Sequence, residues 1–285
     1  MRKYGFLIVE GPHDAELAYR LLSPFGIKRL KNEDEVDPFL AQIIPRKYPI
    51  NGDLQRRMPT PLFVASNTHA IAIYRAEGDT RLIQAVQENL SILDADRLTG
   101  MGIILDADSD KAATSADRYA HIRKGMSTLN YQIPDVAGQV SVGQPRVGVF
   151  VLPDNSTSGT LEDLLIECAR SVYPALLESA QLHIATADTD NSLNRDDLKD
   201  LNKSSGRIKA IVGAIASVLR PGKAVQVSIQ DNKWLRGNCL TIARVKAVQD
   251  FLKTLFDLQK DAATLLTASP TLTPDHPSQP SPAGE

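Results

Sequence analysis

Acidic residues stand directly after two short apolar runs of the sequence. Residues 6–9 (FLIV) are followed by Glu10, and residues 102–105 (GIIL) are followed by Asp106, with Asp108 two residues further on. Short apolar runs are typical of buried parallel strands, and open α/β sheets carry their chemistry just beyond the carboxyl ends of such strands. If the two strands are neighbours, the three carboxylates converge, and a hard cation such as Mg²⁺ would relieve their mutual repulsion.

The residues around these carboxylates indicate that the acids belong to a functional site and are not isolated surface residues. Gly11 allows a tight turn at the end of the first strand, and Pro12 stiffens the loop before a helix. Asp14 falls in the first turn of that helix, where it would cap the helix and also reach the site. Asp106 and Asp108 are two residues apart in a chain predicted to be extended, so both side chains should project from one face.

The ordered motifs resemble the Toprim domain, in which one strand ends in Glu-Gly with an Asp shortly after, and a later strand ends in Asp-x-Asp. The matching stretches are residues 9–14 (VEGPHD) and 105–108 (LDAD). Topoisomerases, bacterial primases, small ribonucleases and the overcoming-lysogenization-defect nucleases share this domain. Residues 152–164 are similar to the segment that follows Asp-x-Asp in stand-alone Toprim-like bacterial proteins of unknown function. They also resemble the Ser-x-Glu element of the lysogenization-defect nucleases, with Thr160 in place of Ser and Glu162 as the acid.

The resemblance implies magnesium-dependent phosphodiester chemistry on DNA or RNA, with a nuclease as the leading expectation. Asp106 and Asp108, together with Glu162, would hold one or two Mg²⁺ ions, for which Mn²⁺ is a possible substitute. Glu10 would act as a metal ligand or as a general acid or base near the leaving group. Asp14 would be a secondary metal ligand.

Two further expectations come from the same resemblance. In the lysogenization-defect nucleases a lysine beyond Ser-x-Glu helps at the reacting phosphate, and Lys209 is the candidate here, with a solvated helix face as the alternative. Those nucleases join an ATPase to the Toprim domain, but this sequence has neither a GxxxxGK[ST] phosphate loop nor GxGxxG after a strand. The chain would therefore act alone or with a separate ATPase subunit. His13, inside the first motif, is expected to be a surface side chain.

Two other kinds of site place acids at a similar spacing, and neither fits this sequence fully. The spacing of residues 106, 108 and 110 imitates the start of a calcium loop, but the sixth position lacks glycine and the run follows a strand. Haloacid-dehalogenase phosphatases also place Asp-x-Asp after a strand, usually the first one, and follow it with Thr or Val instead of Asp110. The functional alternatives are a non-catalytic Toprim-like module that binds a metal or a partner, and a phosphotransfer enzyme acting on a small molecule. Fold alone does not decide between them.

The elements that must position these residues alternate as an α/β fold requires. We predict a Toprim-like, mostly parallel sheet flanked by helices, with a helical C-terminal elaboration. The predicted strands are 6–9, 62–65, 70–74, 102–105 and 147–152. The predicted helices are 14–22, 79–93, 112–129, 160–177, 206–219 and 247–258.

Composition and periodicity along the chain predict three regions. Residues 1–180 form the metal-binding domain, in which residues 28–61 are polar and aperiodic and are expected to be an insertion with little regular structure. Residues 181–267 form the mainly helical elaboration. Residues 268–285 are rich in Pro, Ser and Thr, so a disordered tail is expected there.

Composition limits the partners and the compartment. The 285 residues, 42% of them hydrophobic, suffice for a sizeable core, and the net charge of -2 means that contact with nucleic acid must be local or bridged by metal. Cys168 and Cys239 lack CxxC spacing and are expected to be reduced core residues. A strand begins within a few residues of the start, leaving no room for a signal peptide, and no apolar run reaches membrane-spanning length. We therefore expect a cytoplasmic protein with no membrane partner.

Overall fold

Short apolar segments of the chain form one twisted sheet at the centre of the molecule. The computed structural model describes residues 2–47, 60–108 and 114–259. The strands are β1 (Lys3–Val9), β2 (Lys28–Arg29), β3 (Leu62–Ala65), β4 (His69–Arg75), β5 (Leu98–Asp106) and β6 (Arg146–Leu152). Their order is β2-β3-β4-β1-β5-β6, in which β4, β1, β5 and β6 are parallel and β3 is antiparallel to its neighbours. The predicted α/β fold with a mostly parallel sheet is confirmed.

Helices cover both faces of this sheet. Those in the described residues are α1 (Pro12–Leu22), α2 (Pro38–Ala41), α3 (Leu82–Leu90), α4 (Ser115–Thr128), α5 (Leu161–Val172), α6 (Pro174–Thr186), α7 (Gly206–Leu219), α8 (Val225–Asp231) and α9 (Ala243–Phe256). Side chains alternate along β1, so Leu7 and Val9 enter the layer with α1, α5 and α9, whereas Phe6 and Ile8 enter the layer with α3 and α4. Among these helices, none has the length and apolar character needed to cross a bilayer.

Predicted and observed elements differ mainly in the C-terminal half. Helix α7 has the predicted bounds, but the predicted helix 160–177 is divided at Pro174, which lacks an N–H and begins α6. The prediction also missed α8, a short helix of seven residues. Cys168 and Cys239 are free and buried, as expected.

The predicted insertion, residues 28–61, is more regular at its start than expected. Its first residues form β2, which pairs with β3, and α2 follows after a short 3-10 turn. Residues 48–59 lie outside the described residues, as does the tail predicted at 268–285. Lys28 and Arg29 form an edge strand because they pair with β3, and this tertiary contact leaves no periodic pattern in the sequence.

The C-terminal helix α9 packs directly on the sheet, where glycines leave room for it. A Cβ atom added at Gly100 would lie 2.1 Å from the carbonyl oxygen of Leu255. Beside this contact, the rings of Phe150 and Phe251 lie 5.5 Å apart between centroids. Helix α9 shares a hydrophobic cluster with α1 and α5, so the C-terminal elaboration contributes to the same core as the first domain.

We expect Gly100→Ala to lower the free energy of unfolding by about 2 kcal/mol, because the new methyl group would collide with the backbone of α9. Gly213→Ala in α7 is the matched control, since a Cβ atom there meets nothing within 4 Å. That change should raise stability by about 0.5–1 kcal/mol through helix propensity. Urea unfolding of both variants measures the difference, and a Gly100→Ala protein as stable as the wild type would contradict the packing described.

Candidate metal centre

Strands β1 and β5 are adjacent and parallel, so the residues that follow them meet at one edge of the sheet. Val9, the last residue of β1, is paired with Ile104, and β5 continues for two more residues to Asp106. The Oε1 atom of Glu10 accepts a hydrogen bond of 3.0 Å from the backbone N–H of Asp106. The structure thus brings Glu10 and Asp106 together, although they are far apart in the sequence.

A cavity of about 330 Å³ lies beyond this edge of the sheet. Four carboxylates from four separate segments line it: two at strand ends, one in the first turn of α1 and one in the first turn of α5. We call it the carboxylate cavity; its charged and titratable lining residues are Glu10, His13, Asp14, Asp106, Glu162 and Lys209. The acids predicted from three separate motifs are therefore neighbours in space.

The first turn of α1 fixes Asp14 in the wall of this cavity. Asp14 is buried, and its Oδ2 atom accepts a hydrogen bond of 2.9 Å from the N–H of Gly11. Pro12 occupies the start of the helix, where its missing N–H has no intrahelical partner to lose. Asp14 therefore has the two roles predicted for it, since it caps the helix and also faces the cavity.

The first turn of α5 holds the opposite wall. The N–H of Leu161 donates a hydrogen bond of 2.9 Å to Oδ1 of Asp106, so this acid sits at the positive end of a helix dipole. Glu162 is buried and accepts a 2.9 Å hydrogen bond from the hydroxyl of Thr160. The segment that carries Glu162 thus binds Asp106 through a backbone N–H, and Glu162 and Asp106 line the same cavity.

Three of the four acids are held in an environment that disfavours their charged form. Desolvation, reinforced by the charge of Asp14, raises the pKa of Glu10 to about 7. Desolvation and the charge of Glu162 raise the pKa of Asp14 to about 6. Desolvation, with the charges of Asp14 and Glu10, also holds the pKa of Asp106 well above its usual range. The acids repel one another, so a cation in the cavity would stabilise them.

Glu162 behaves differently because it has positive and hydrogen-bonding partners. Desolvation tends to raise its pKa, but the nearby His13, the hydrogen bond from Thr160 and the charge of Lys209 outweigh that effect and lower the pKa. His13 Nδ1 lies 3.6 Å from a Glu162 oxygen, so this histidine lines the site instead of lying apart on the surface. Lys209, chosen only by resemblance, stands in the cavity wall on α7.

Arg118, which the sequence analysis did not identify, connects four of the groups at this sheet edge. Its Nη2 atom lies 3.3 Å from Oε1 of Glu10 and 3.2 Å from Oδ2 of Asp108. Its Nη1 atom lies 2.6 Å from Oδ2 of Asp79, and its Nε donates a 3.2 Å hydrogen bond to the carbonyl of Asp106. A single guanidinium therefore contacts three carboxylates.

The sequence carries a weak signal for this arginine. Tyr119, Ile122 and Met126 form the buried face of α4, and Arg118 stands beside that face, next to Tyr119. A charged residue at the margin of an apolar helix face is close to the core, but spacing alone does not reveal which acids it meets. Asp79, at the start of the turn before α3, gave no signal beyond its predicted position at a helix start.

The predicted same-face projection of Asp106 and Asp108 is not observed. Strand β5 ends at Asp106, and Asp108 has a left-handed backbone with φ of 61°, so the extended geometry stops between them. The carbonyl of Asp108 accepts a hydrogen bond from the N–H of Gly159, and its carboxylate, 45% exposed, turns to Arg118. Asp110 lies outside the described residues.

The donor set is suitable for a hard cation, but it is not arranged around one. In residues 2–47, 60–108 and 114–259, no three His, Cys, Asp or Glu side chains are already placed to hold a metal ion. Glu10, Asp14 and Asp106 each accept a backbone N–H bond instead. Carboxylate oxygens are the ligands that Mg²⁺ and Mn²⁺ prefer, so the chemistry fits, and coordination would require rotation of these side chains.

Comparisons with known proteins bear on the family. A family model described as "Protein of unknown function (DUF3226)" matches residues 4–257. Among solved structures, the crystal structure of hypothetical protein PH0156 from Pyrococcus horikoshii OT3 matches with a TM-score of 0.45 and 16% sequence identity. That match covers 90% of this chain and 95% of the other chain. The search of curated proteins gave no significant match.

We expect Glu10→Gln to stabilise the metal-free protein at pH 8, because it removes a disfavoured charge and keeps an oxygen for the Asp106 N–H. Desolvation raises the pKa of Glu10 from 4.5 to about 7, so the native state binds this proton more readily than the unfolded chain. The carboxyl therefore lowers wild-type stability above pH 7, and this penalty is lost as the pH falls toward 4.5. The variant should exceed the wild type by about 1–3 kcal/mol at pH 8.

Urea unfolding across this pH range measures the difference between the two proteins. The matched control is Asp34→Asn, which changes an exposed carboxylate on another part of the surface. Its stability should follow that of the wild type at every pH. A Glu10→Gln protein that is less stable than the wild type at pH 8, or a difference that does not shrink toward acid, would contradict the described electrostatics.

Proposed function

The chain belongs to the DUF3226 family, and we propose that it is a Toprim-like, magnesium-dependent phosphodiesterase that cleaves nucleic acid. One observation carries this proposal. Four carboxylates from distant segments, Glu10, Asp14, Asp106 and Glu162, line one cavity at the carboxyl ends of parallel strands. Three of them have raised pKa values because burial and the charges of neighbouring carboxylates disfavour their ionised forms.

The charge of the cavity favours metal chemistry on phosphate over direct anion binding. Among the described residues that line the cavity, four are acids and the basic side chains are Lys209 and His13, so the carboxylates would repel a phosphate group in the absence of a metal ion. A bound Mg²⁺ ion would polarise the scissile phosphate and activate water. The same reasoning applies to Mn²⁺, which accepts a similar set of oxygen ligands.

Each lining residue has a role in this proposal. Asp106 and Glu162 would hold the metal, with Asp14 as a secondary ligand and Asp108 joining from the side of Arg118. Glu10 would be a metal ligand or, with its pKa raised to about 7 by burial, a general acid or base near the leaving group. Lys209 would contact a phosphate oxygen from α7.

Nucleic acid as the substrate class rests on the motifs that resemble Toprim nucleases. The net charge of -2 supplies no general attraction to DNA or RNA, so binding would depend on the metal and on local cations. A separate ATPase subunit is the proposed partner where one is needed. The rival function is a non-catalytic binding module, which the backbone hydrogen bonds to Glu10, Asp14 and Asp106 favour.

We expect millimolar Mg²⁺ or Mn²⁺ to raise the melting temperature, because a ligand that binds only the native state stabilises it. A hundredfold excess over Kd corresponds to about 2.7 kcal/mol, which is a shift of several degrees. Asp106→Ala should remove most of this rise, whereas Asp135→Ala, at an exposed site outside the cavity, should keep it. A folded, metal-free wild type whose melting temperature ignores both metals would count against the site.

We also expect purified wild-type protein to cleave plasmid or single-stranded DNA or RNA with Mg²⁺ or Mn²⁺, and to lose that activity in EDTA. Asp106→Asn keeps an oxygen for the Leu161 N–H but removes a charge that metal and transition state need. Its cleavage rate, and that of Asp108→Asn, should fall at least about 100-fold while the fold stays intact.

The same assay separates the enzyme from the rival module, with Asp135→Asn as the control that should retain full activity. A binding module would show no metal-dependent cleavage, and Asp106→Asn would change only metal or partner affinity. The proposal fails if the metal-loaded wild type cleaves neither DNA nor RNA, alone or with any ATPase that it binds.

A further inference from the structure

The guanidinium of Arg118 has partners of two kinds on its two sides. Nε donates a 3.2 Å hydrogen bond to the backbone carbonyl of Asp106. Nη1 donates a 2.6 Å hydrogen bond to the carboxylate of Asp79. Neither of these groups is a candidate metal ligand. Nη2 instead lies 3.3 Å from Glu10 and 3.2 Å from Asp108, which are candidate ligands. One side is thus anchored, and the other contacts two carboxylates that are candidate metal ligands.

Packing fixes the position of this side chain. Only 16% of the Arg118 side chain is exposed, and the neighbouring Tyr119 and Ile122 are buried in the core. A guanidinium is charged at any physiological pH and presents its donors in a rigid plane. The position of Arg118 on α4 and its contacts with Asp106 and Asp79 therefore set the orientation of the guanidinium group.

There is also room for a ligand beside Arg118. A second cavity of about 300 Å³ lies next to it, lined by Asp79, Leu105, Arg118 and His121 among others. A phosphodiester chain extends on both sides of its reacting phosphate, so a substrate held in the carboxylate cavity needs such space next to the metal site. Arg118 contributes to the wall of this second cavity, while its Nη2 contacts Glu10 of the carboxylate cavity and the nearby Asp108.

We propose that Nη2 of Arg118 binds a non-bridging oxygen of the substrate phosphate, and that Asp79 is the positioning residue that aims it. This inference rests on the proposed metal-dependent phosphodiester chemistry. A divalent cation at Glu10 and Asp108 would neutralise the two carboxylates that now occupy Nη2, and so would free that donor. A guanidinium group matches the geometry of phosphate oxygens as well as that of carboxylate oxygens, so a phosphate oxygen can take their place.

The step that Arg118 assists is hydrolysis of a phosphodiester. The oxygen of water forms a bond to phosphorus, the bond from phosphorus to the leaving oxygen breaks, and a proton from the water ends on that leaving oxygen. Arg118 stays protonated throughout and donates hydrogen bonds to an oxygen on which charge accumulates. Positive groups fixed at that place stabilise the transition state more than the bound substrate.

A different role would make Arg118 only a counter-ion for the acids of the metal-free protein. In that case its removal would leave phosphate binding unchanged in the metal-loaded protein, because Mg²⁺ would replace its charge. The two roles therefore differ in their effect on phosphate, and inorganic phosphate is a suitable probe.

The experiment measures melting temperatures of the full chain without metal, with Mg²⁺, and with Mg²⁺ and inorganic phosphate. In the wild type, phosphate should add a second rise that requires Mg²⁺. Arg118→Met should keep the rise due to Mg²⁺, lose the rise due to phosphate, and cleave substrate at least about 100-fold more slowly. Asp79→Asn should reduce the phosphate rise and the cleavage rate by a smaller factor, with the Mg²⁺ rise unchanged.

Arg123→Met is the matched control, because Arg123 lies on the same helix and pairs with the exposed Asp135. It should behave as the wild type in every measurement. Arg118→Lys keeps the charge without the fork, and carries the test if Arg118→Met does not fold; it should also lose most of the phosphate rise. The inference is overturned if Mg²⁺ acts as proposed while the Arg118 variants bind phosphate and cleave like the wild type. A wild type that neither responds to Mg²⁺ nor cleaves would overturn the proposed function itself, and this inference with it.

Discussion

Several carboxylates lie close together at one edge of the sheet, and the surrounding structure must compensate for the repulsion between their negative charges. Parallel pairing of β1 with β5 brings the acids after both strands to the same place. The neighbouring elements then supply compensation: a backbone N–H from β5 to Glu10, one from the start of α5 to Asp106, and one from Gly11 to Asp14. Arg118 adds the only full positive charge seen to contact these strand-end acids among the described residues.

The C-terminal helices complete the site as well as the core. Lys209 and Val212 from α7 and Val225 from the start of α8 form part of the wall of the carboxylate cavity. Helices α7 and α8 also contribute Val212 and Ile229 to the hydrophobic cluster on one face of the sheet, together with the apolar side chains of α9. Residues beyond 181 are therefore needed for the environment of the acids, even though their sequence carries none of the acidic motifs.

The sequence predicted those parts of the structure that depend on local pattern. Apolar runs gave β1 and β5, their parallel pairing placed Glu10 beside Asp106, and helical periodicity gave the bounds of α7. The predicted projection of Asp108 was wrong, because its left-handed backbone, with φ of 61°, ends the strand alternation on which the prediction relied. Arg118 was missed since its partners come from three other segments, which only the tertiary fold brings within reach.

The carboxylate cavity contains acids whose pKa values have moved in opposite directions. Glu10 and Asp14 hold their protons to about pH 7 and about pH 6, whereas Glu162 gives its proton up more readily than a free glutamate. At neutral pH the cavity therefore contains bound hydrogen ions as well as negative charge. A cation that entered the proposed site would have to displace those hydrogen ions, so metal uptake would acidify the medium and would weaken at lower pH. Protons and metal ions would then compete for the same carboxylate oxygens.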